Sequence, residues 1–209
     1  VRTGDGRIDH ASAQGLEDLT QTLINRNNVE PGAPVGIDLA RDDLAAYPFL
    51  YWPATGTPQR LSDAALANLD HYLAIGGLLL VDTRDAGAST QTRPAQTMLA
   101  GVDVPPLELV NAQHVVARSF YLLRNFPGRF SSTRLWAESA SAAASRDGVA
   151  AIFIGDGDWA DAWAGNGVSD DQREMSLRFG VNMVMVALTG NYKSDQVHVQ
   201  TLLDRLGRQ

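Results

Sequence analysis

The 209-residue chain contains no cysteine. That absence rules out disulfides, thiolate zinc sites and thiol nucleophiles together. It leaves the redox compartment open, although it is compatible with an oxidising one. Lysine occurs once, at Lys193, so nearly all positive charge is carried by arginine. With 17 basic against 24 acidic residues the formal charge is −7, and the arginines are scattered along the chain. A general nucleic-acid binder needs a basic face to neutralise phosphates, and this composition argues against one. No apolar run approaches the ~18 residues of a membrane span, and no signal-like segment opens the chain. There is no phosphate-binding P-loop and no Gly-x-Ser-x-Gly elbow of a serine hydrolase. The four histidines, His10, His71, His114 and His198, show no metal-ligand spacing.

What is present is an ordinary globular balance, with 44% hydrophobic and 20% charged residues. The length suits one domain with a single sizeable core. No internal repeat is visible. The first residue is Val1, and "VRTGDG" reads as the tail of a strand entering a turn. We therefore expect residues 1–209 to be one α/β domain cut from a longer protein.

Along the chain, Leu16, Leu19, Leu23 and Ile24 form one apolar stripe, which predicts a helix over 12–27 capped by Ser12. "VGIDL" (35–39) reads as a short strand and "RDDLAAY" as a polar connection or one helical turn. "PFLYWP" (48–53), a continuous apolar run between prolines, has the look of a buried parallel strand. The clearest unit follows. Ser62 caps a helix whose buried stripe is Leu66, Leu69, Tyr72 and Leu73; Gly76 and Gly77 end it; "LLLVDT" is the next strand. Strand, helix and strand on short links make a βαβ unit. Residues 84–110 suggest a short helix and then an extended segment near Pro105 and Pro106. Residues 137–148, small and polar, suggest a loop or hairpin tip, and "VAAIFIG" (149–155) another buried strand. Residues 172–190 predict a buried helix ended by Gly190, followed by a short amphipathic helix presenting Val199, Leu202, Leu203 and Leu206.

Alternating strands and helices predict a three-layer, mostly parallel sheet with ligands beyond its carboxyl ends. Three turns lie there. "YWPATGTPQ" carries Tyr51 and Trp52, which reach the crevice or are core aromatics before a proline turn, the latter being the plainer reading. "DTRDAGAST" carries Asp82, Thr83, Arg84 and Asp85. Its carboxylates can bind a cation or hydroxyls and its guanidinium an anion, or the group can simply cap strand ends. "GDGDWADAW" mimics a dinucleotide fingerprint, but Asp156 and Asp158 occupy the phosphate-facing positions and would repel a pyrophosphate. Asp156, Asp158 and Asp161 sketch a calcium loop, yet Ala160 replaces one ligand and no glutamate closes it. Trp159 suggests an aromatic lid over a polar or sugar-like ligand. Of the histidines, only His114 is a candidate for this crevice. No metal or cofactor is expected.

Taken together, "YPFLYWP", "LSDAALANLDHYLAIGGLLLVDT", "HVVARSFYLLRNFPGRF", "GDGDWADAW" and "RFGVNMVMVALTGNYKSDQVH" resemble the bacterial domain of unknown function 4159 family, over about Val35 to His198. The resemblance implies a class I glutamine amidotransferase-like, flavodoxin-like fold. Working amidotransferases of that fold use Cys, His and Glu, and this chain has no Cys, so the triad does not carry over. The resemblance also implies membrane attachment through a segment outside this chain. The functional expectation is a non-catalytic domain that binds a small molecule or a protein partner. The alternative is a carboxylate-dependent hydrolase acting on a polar or sugar-like small molecule.

Overall fold

A computed structural model describes residues 1–27, 29–86, 93–139 and 150–206; at 93 and 190–206 it describes the backbone alone. Helix α1 (Gly6–Asn27) leads to a 3-10 turn (Leu44–Ala46), strand β1 (Phe49–Pro53), α2 (Asp63–Ala74) and β2 (Leu78–Asp82). Then come α3 (Arg93–Met98), β3 (Leu107–Leu109), a 3-10 turn (Val115–Ala117), β4 (Leu135–Glu138) and β5 (Ile152–Gly155). Helices α4 (Trp159–Trp163) and α5 (Asp170–Leu206) complete the order.

The strands form one five-stranded sheet in the order β1-β2-β5-β4-β3. β1, β2 and β5 pair in parallel, and β4 runs antiparallel between β5 and β3. Four of the five strands therefore point the same way. The apolar runs of β1, β2 and β5 are buried because both faces of the sheet are covered. Alternate residues face opposite layers. Tyr51, Leu78, Leu80 and Phe153 pack against α1, α4 and α5. Leu50, Trp52, Leu79, Val81 and Ile152 pack against α2 and α3.

The βαβ unit forms as its residues predict. Ser62 Oγ accepts the Ala65 N–H at 3.3 Å, and Gly76 takes the left-handed φ of +90° that ends α2. Elsewhere the boundaries move. α1 begins at Gly6 rather than at residue 12, because Asp5 Oδ1 accepts the N–H groups of Arg7 (3.0 Å) and Ile8 (3.2 Å); Ser12 lies buried inside the helix. Residues 35–39 are extended but join no ladder; they are held by the Arg2 N–H on Ile37 O at 2.9 Å. Ala137 and Glu138 belong to β4 rather than to a loop, while 140–149 lie outside the described residues. Gly190 does not end its helix, since α5 runs on to Leu206 and absorbs the expected C-terminal helix. An internal glycine costs a helix only about 1 kcal/mol, too little to break one of this length. Val199, Leu202, Leu203 and Leu206 lie where side chains are not described.

Gly15 sets the distance between α1 and α4. A Cβ there would fall 2.2 Å from Ala160 O, so the helices meet backbone to side-chain-free backbone. Gly15→Ala should cost about 1–3 kcal/mol through this overlap, read by urea denaturation. A neutral result would show that α1 can slide outward, loosening the α4 start described next.

Candidate functional site

The carboxyl ends of β1, β2 and β5 lie side by side, with Asp82 in register with Pro53 on one side and Gly155 on the other. The backbone bonds continue past the last strand residues: Ala54 N–H donates to Asp82 O (2.8 Å) and Thr83 N–H to Gly155 O (2.7 Å). Strand alternation puts Asp82 on the same face as Leu80 and Tyr51, beneath the start of α4.

There Asp82 acts as a cap supplied from another strand. Its Oδ2 accepts the Trp159 N–H (2.7 Å) and the Tyr51 hydroxyl (2.7 Å); its Oδ1 accepts the Asp158 N–H (3.0 Å) and the Arg84 N–H (3.1 Å). The Tyr51 oxygen in turn accepts the Ala160 N–H at 3.3 Å. Three of the first amides of α4, which have no partner within the helix, are thus satisfied by β1 and β2. A carboxylate at a helix N-terminus is also favoured by the helix dipole. Asp158, at the cap position itself, makes no cap bond with its side chain. Its carboxylate turns outward to Arg84 Nε and to Arg129 Nη1, the latter at 3.1 Å, and Arg84 Nη2 reaches Asp161 at 3.3 Å. Arg84 and Asp158 both hold left-handed backbone, with φ of 59° and 51°. Two non-glycine residues in that region, on adjacent turns and joined by an ion pair, lock the two loops together at a cost of about 1–3 kcal/mol each.

This cluster is closed to solvent: Asp82 and Asp156 are 0% exposed and Asp158 is 2% exposed. Burial, and then the neighbouring Asp158 carboxylate, push the Asp82 pKa up to about 7, against the pull of the hydrogen bonds it accepts. Burial, then Asp82, hold the Tyr51 hydroxyl well above its ordinary value. Asp156 accepts the Arg134 N–H at 2.7 Å and lies 3.7 Å from the Arg134 guanidinium; burial raises its pKa, and the Asp85 carboxylate adds to the rise. The Thr83 hydroxyl donates to Asp85. The structure thus brings Tyr51, Asp82, Thr83, Arg84, Asp85, Asp156 and Asp158 to one crest, which Trp159 joins only through its backbone N–H.

Two candidates stand apart from it. His114 Nδ1 accepts the Val116 N–H at 3.2 Å, capping the 115–117 turn, with its ring edge against Phe153. Burial lowers its pKa. Trp52 faces the opposite layer from Tyr51, among Leu39, Leu50 and Val81. Trp159 is no lid: it lies fully buried below the crest, its indole N–H on Phe126 O at 3.1 Å. Asp161, which the sequence offered only within a calcium-loop sketch, joins the crest through Arg84, and the structure adds Arg129 and Arg134. Their signal was weak, because one arginine in a loop looks like any other until its carboxylate is located.

Beside the crest, on the Trp52 side, lies an open cleft of about 1020 Å³. Trp52, Leu39, Ala65 and Met98 form its apolar part, and the 53–62 loop and residues 2–5 its polar rim. Ala54 links cleft and crest, since its carbonyl lies 3.5 Å from Arg84 Nη1. Among the described residues no group of three His, Asp or Glu side chains is arranged to hold a metal ion, and no helix is long and apolar enough to cross a membrane.

The architecture and the crest define an α/β domain whose parallel strand ends are closed by a capped short helix. Residues 1–188 match the family model of the domain of unknown function DUF4159, and the chain belongs to that family. No curated protein matches the chain.

Proposed function

We propose that the chain is a non-catalytic binding module of a bacterial membrane-associated protein, and that its ligand site is the cleft beside β1. One contrast carries this reading. Asp82 and Asp158 at the strand ends are buried and committed to N–H groups and arginines, whereas the cleft is open, with buried Trp52 and Met98 in its lining and many polar groups around them. That combination characterises small-molecule sites. The finer fold we infer is class I glutamine amidotransferase-like. The parallel β1-β2-β5 core with its polar turns at the carboxyl ends supports it. Membrane association rests on the family resemblance alone. A small molecule or a protein are the partners we infer; nucleic acid is disfavoured by the charge of −7.

The hydrolase alternative draws on Asp82, whose pKa of about 7 suits acid–base chemistry. Its four accepted hydrogen bonds leave no lone pair for a water.

A thermal-shift screen of sugars, amino acids, nucleotides and metal ions tests the reading. A ligand at ~100 times its dissociation constant adds roughly 2.7 kcal/mol, a rise of about 5–10 °C for a domain of this size. The hit should vanish in Gly56→Trp, which fills the cleft from a position where an added Cβ meets nothing within 4 Å. A hit that survives this substitution, or turnover of the hit compound, would sink the proposal.

A further inference from the structure

The charged side chains of the cleft balance in number but differ in how they are engaged. Two arginines and two aspartates line it: Arg2, Arg60, Asp5 and Asp38. Both carboxylates are already engaged. Asp5 caps α1 through the N–H groups of Arg7 and Ile8. Asp38 accepts the Ala40 N–H at 2.9 Å and lies 3.7 Å from the Arg41 guanidinium. Neither Arg2 nor Arg60 has a side-chain hydrogen bond or ion pair among the described residues. Arg26, Arg84, Arg129, Arg134, Arg173 and Arg178 are all paired; Arg7 and Arg124 are as uncommitted as Arg2 and Arg60, but only Arg2 and Arg60 line this concavity.

Arg2 is also held in place. Its N–H donates to Ile37 O at 2.9 Å, and its side chain lies over Gly36, where a Cβ would come within 2.7 Å of Nε. Gly36 leaves room for the Arg2 side chain to lie across it. The same cleft offers further donors, the hydroxyls of Thr55 and Thr57 and the amide of Gln59, and the buried apolar side chains of Trp52 and Met98.

We propose that the cleft binds a small organic anion, a carboxylate or phosphate ester with an apolar or ring-shaped body, its charge held by Arg2 and Arg60 and its body lying toward Trp52 and Met98. A guanidinium matches either oxyanion with two parallel hydrogen bonds. This deepens the binding reading above and rests on it.

A matched series tests it: benzoate and phenyl phosphate as anions, benzyl alcohol as neutral body and benzylamine as cation. Each is added at about 10 mM, in the range where ligands of so few atoms bind measurably. The 15N-labelled protein is followed at the Arg2 and Arg60 Nε–H signals and the Trp52 indole. One or both anions should shift all three saturably, benzyl alcohol and benzylamine far less, and added salt should weaken the effect. Preference between benzoate and phenyl phosphate tells carboxylate from phosphate. Arg2→Gln and Arg60→Gln, both at exposed positions, should each weaken anion binding by about tenfold, the loss of one charge-assisted contact. Equal binding of benzyl alcohol, or anion binding unchanged in both variants, overturns the anion assignment and leaves the cleft as a binding site. No shift at Trp52 with any probe overturns both.

Discussion

Asp82→Ala should destabilise the domain by about 3–5 kcal/mol, a fall in Tm of roughly 10–15 °C. The substitution removes one carboxylate and orphans four donors in a dry interior: the N–H groups of Arg84, Asp158 and Trp159 and the Tyr51 hydroxyl. Each unsatisfied buried donor costs about 1–3 kcal/mol, and partial relaxation keeps the total below their sum. Against a usual domain stability of about 5–15 kcal/mol, that approaches unfolding. Urea denaturation followed by tryptophan emission reads it, since Trp159 sits directly on the carboxylate. A loss under about 1 kcal/mol would mean that α4 finds another cap.

The same residue gives a pH signature. Its pKa is about 7 in the folded chain against about 3.9 when unfolded. Between those values the folded state holds more of the proton, so stability falls as pH rises from about 4 to 7. Asp82→Asn, which cannot titrate, lacks that slope. The stability difference between wild type and Asp82→Asn should therefore shift in favour of Asn as pH rises through that window. His114, whose pKa is lowered, contributes a slope of opposite sign below its ordinary value of about 6.5, and it cancels in this comparison because both proteins carry it. A flat difference from pH 4 to 8 would show that the four donors keep Asp82 ionised throughout.

These arguments also explain what the sequence could reveal. The βαβ unit was legible because its signals are local: a serine cap, a 3.6-residue stripe, a pair of glycines and an apolar run within about twenty residues. The sheet's antiparallel half was not. β3 and β4 are three and four residues long, too short for a period to emerge, and β4 pairs β5 across the small-residue stretch that reads as a loop. The start of α1 depended on a single Asp5 cap that no apolar stripe announces. The crest was half legible. Its carboxylates could be placed at strand ends by topology, but whether such groups face solvent or a helix N-terminus depends on what packs above them. Here that is a five-residue helix bounded by Trp159 and Trp163, and their burial closes the crevice that the turns alone seemed to open. The cleft was least legible, since Arg2, Arg60 and Met98 come from three distant stretches and meet only through the pairing of residue 2 with 37 and the packing of α3.

Arg84→Met should cost about 2–4 kcal/mol, most of it from leaving Asp158 with Arg129 as its one remaining cation. Asp158 is buried beside Asp82, and Arg129 is half-exposed, so solvent screening weakens the contact that survives. Asp158→Asn alone should cost less, because it relieves the repulsion on Asp82 while it frees Arg84. In the double variant the guanidinium and the carboxylate are both gone, so the two losses should fail to add by about 1–3 kcal/mol. Additive losses would reduce the ion pair to a bystander. The backbone supplies an independent test at the same position. Arg84 holds a φ of 59°, a conformation that glycine accepts without penalty. Arg84→Gly should therefore be about 1 kcal/mol milder than Arg84→Met, although both delete the charge. If methionine proves the milder change, the turn relaxes once the ion pair is lost, and the left-handed bend at Arg84 is imposed by its bond to Asp158 rather than by the path of the chain.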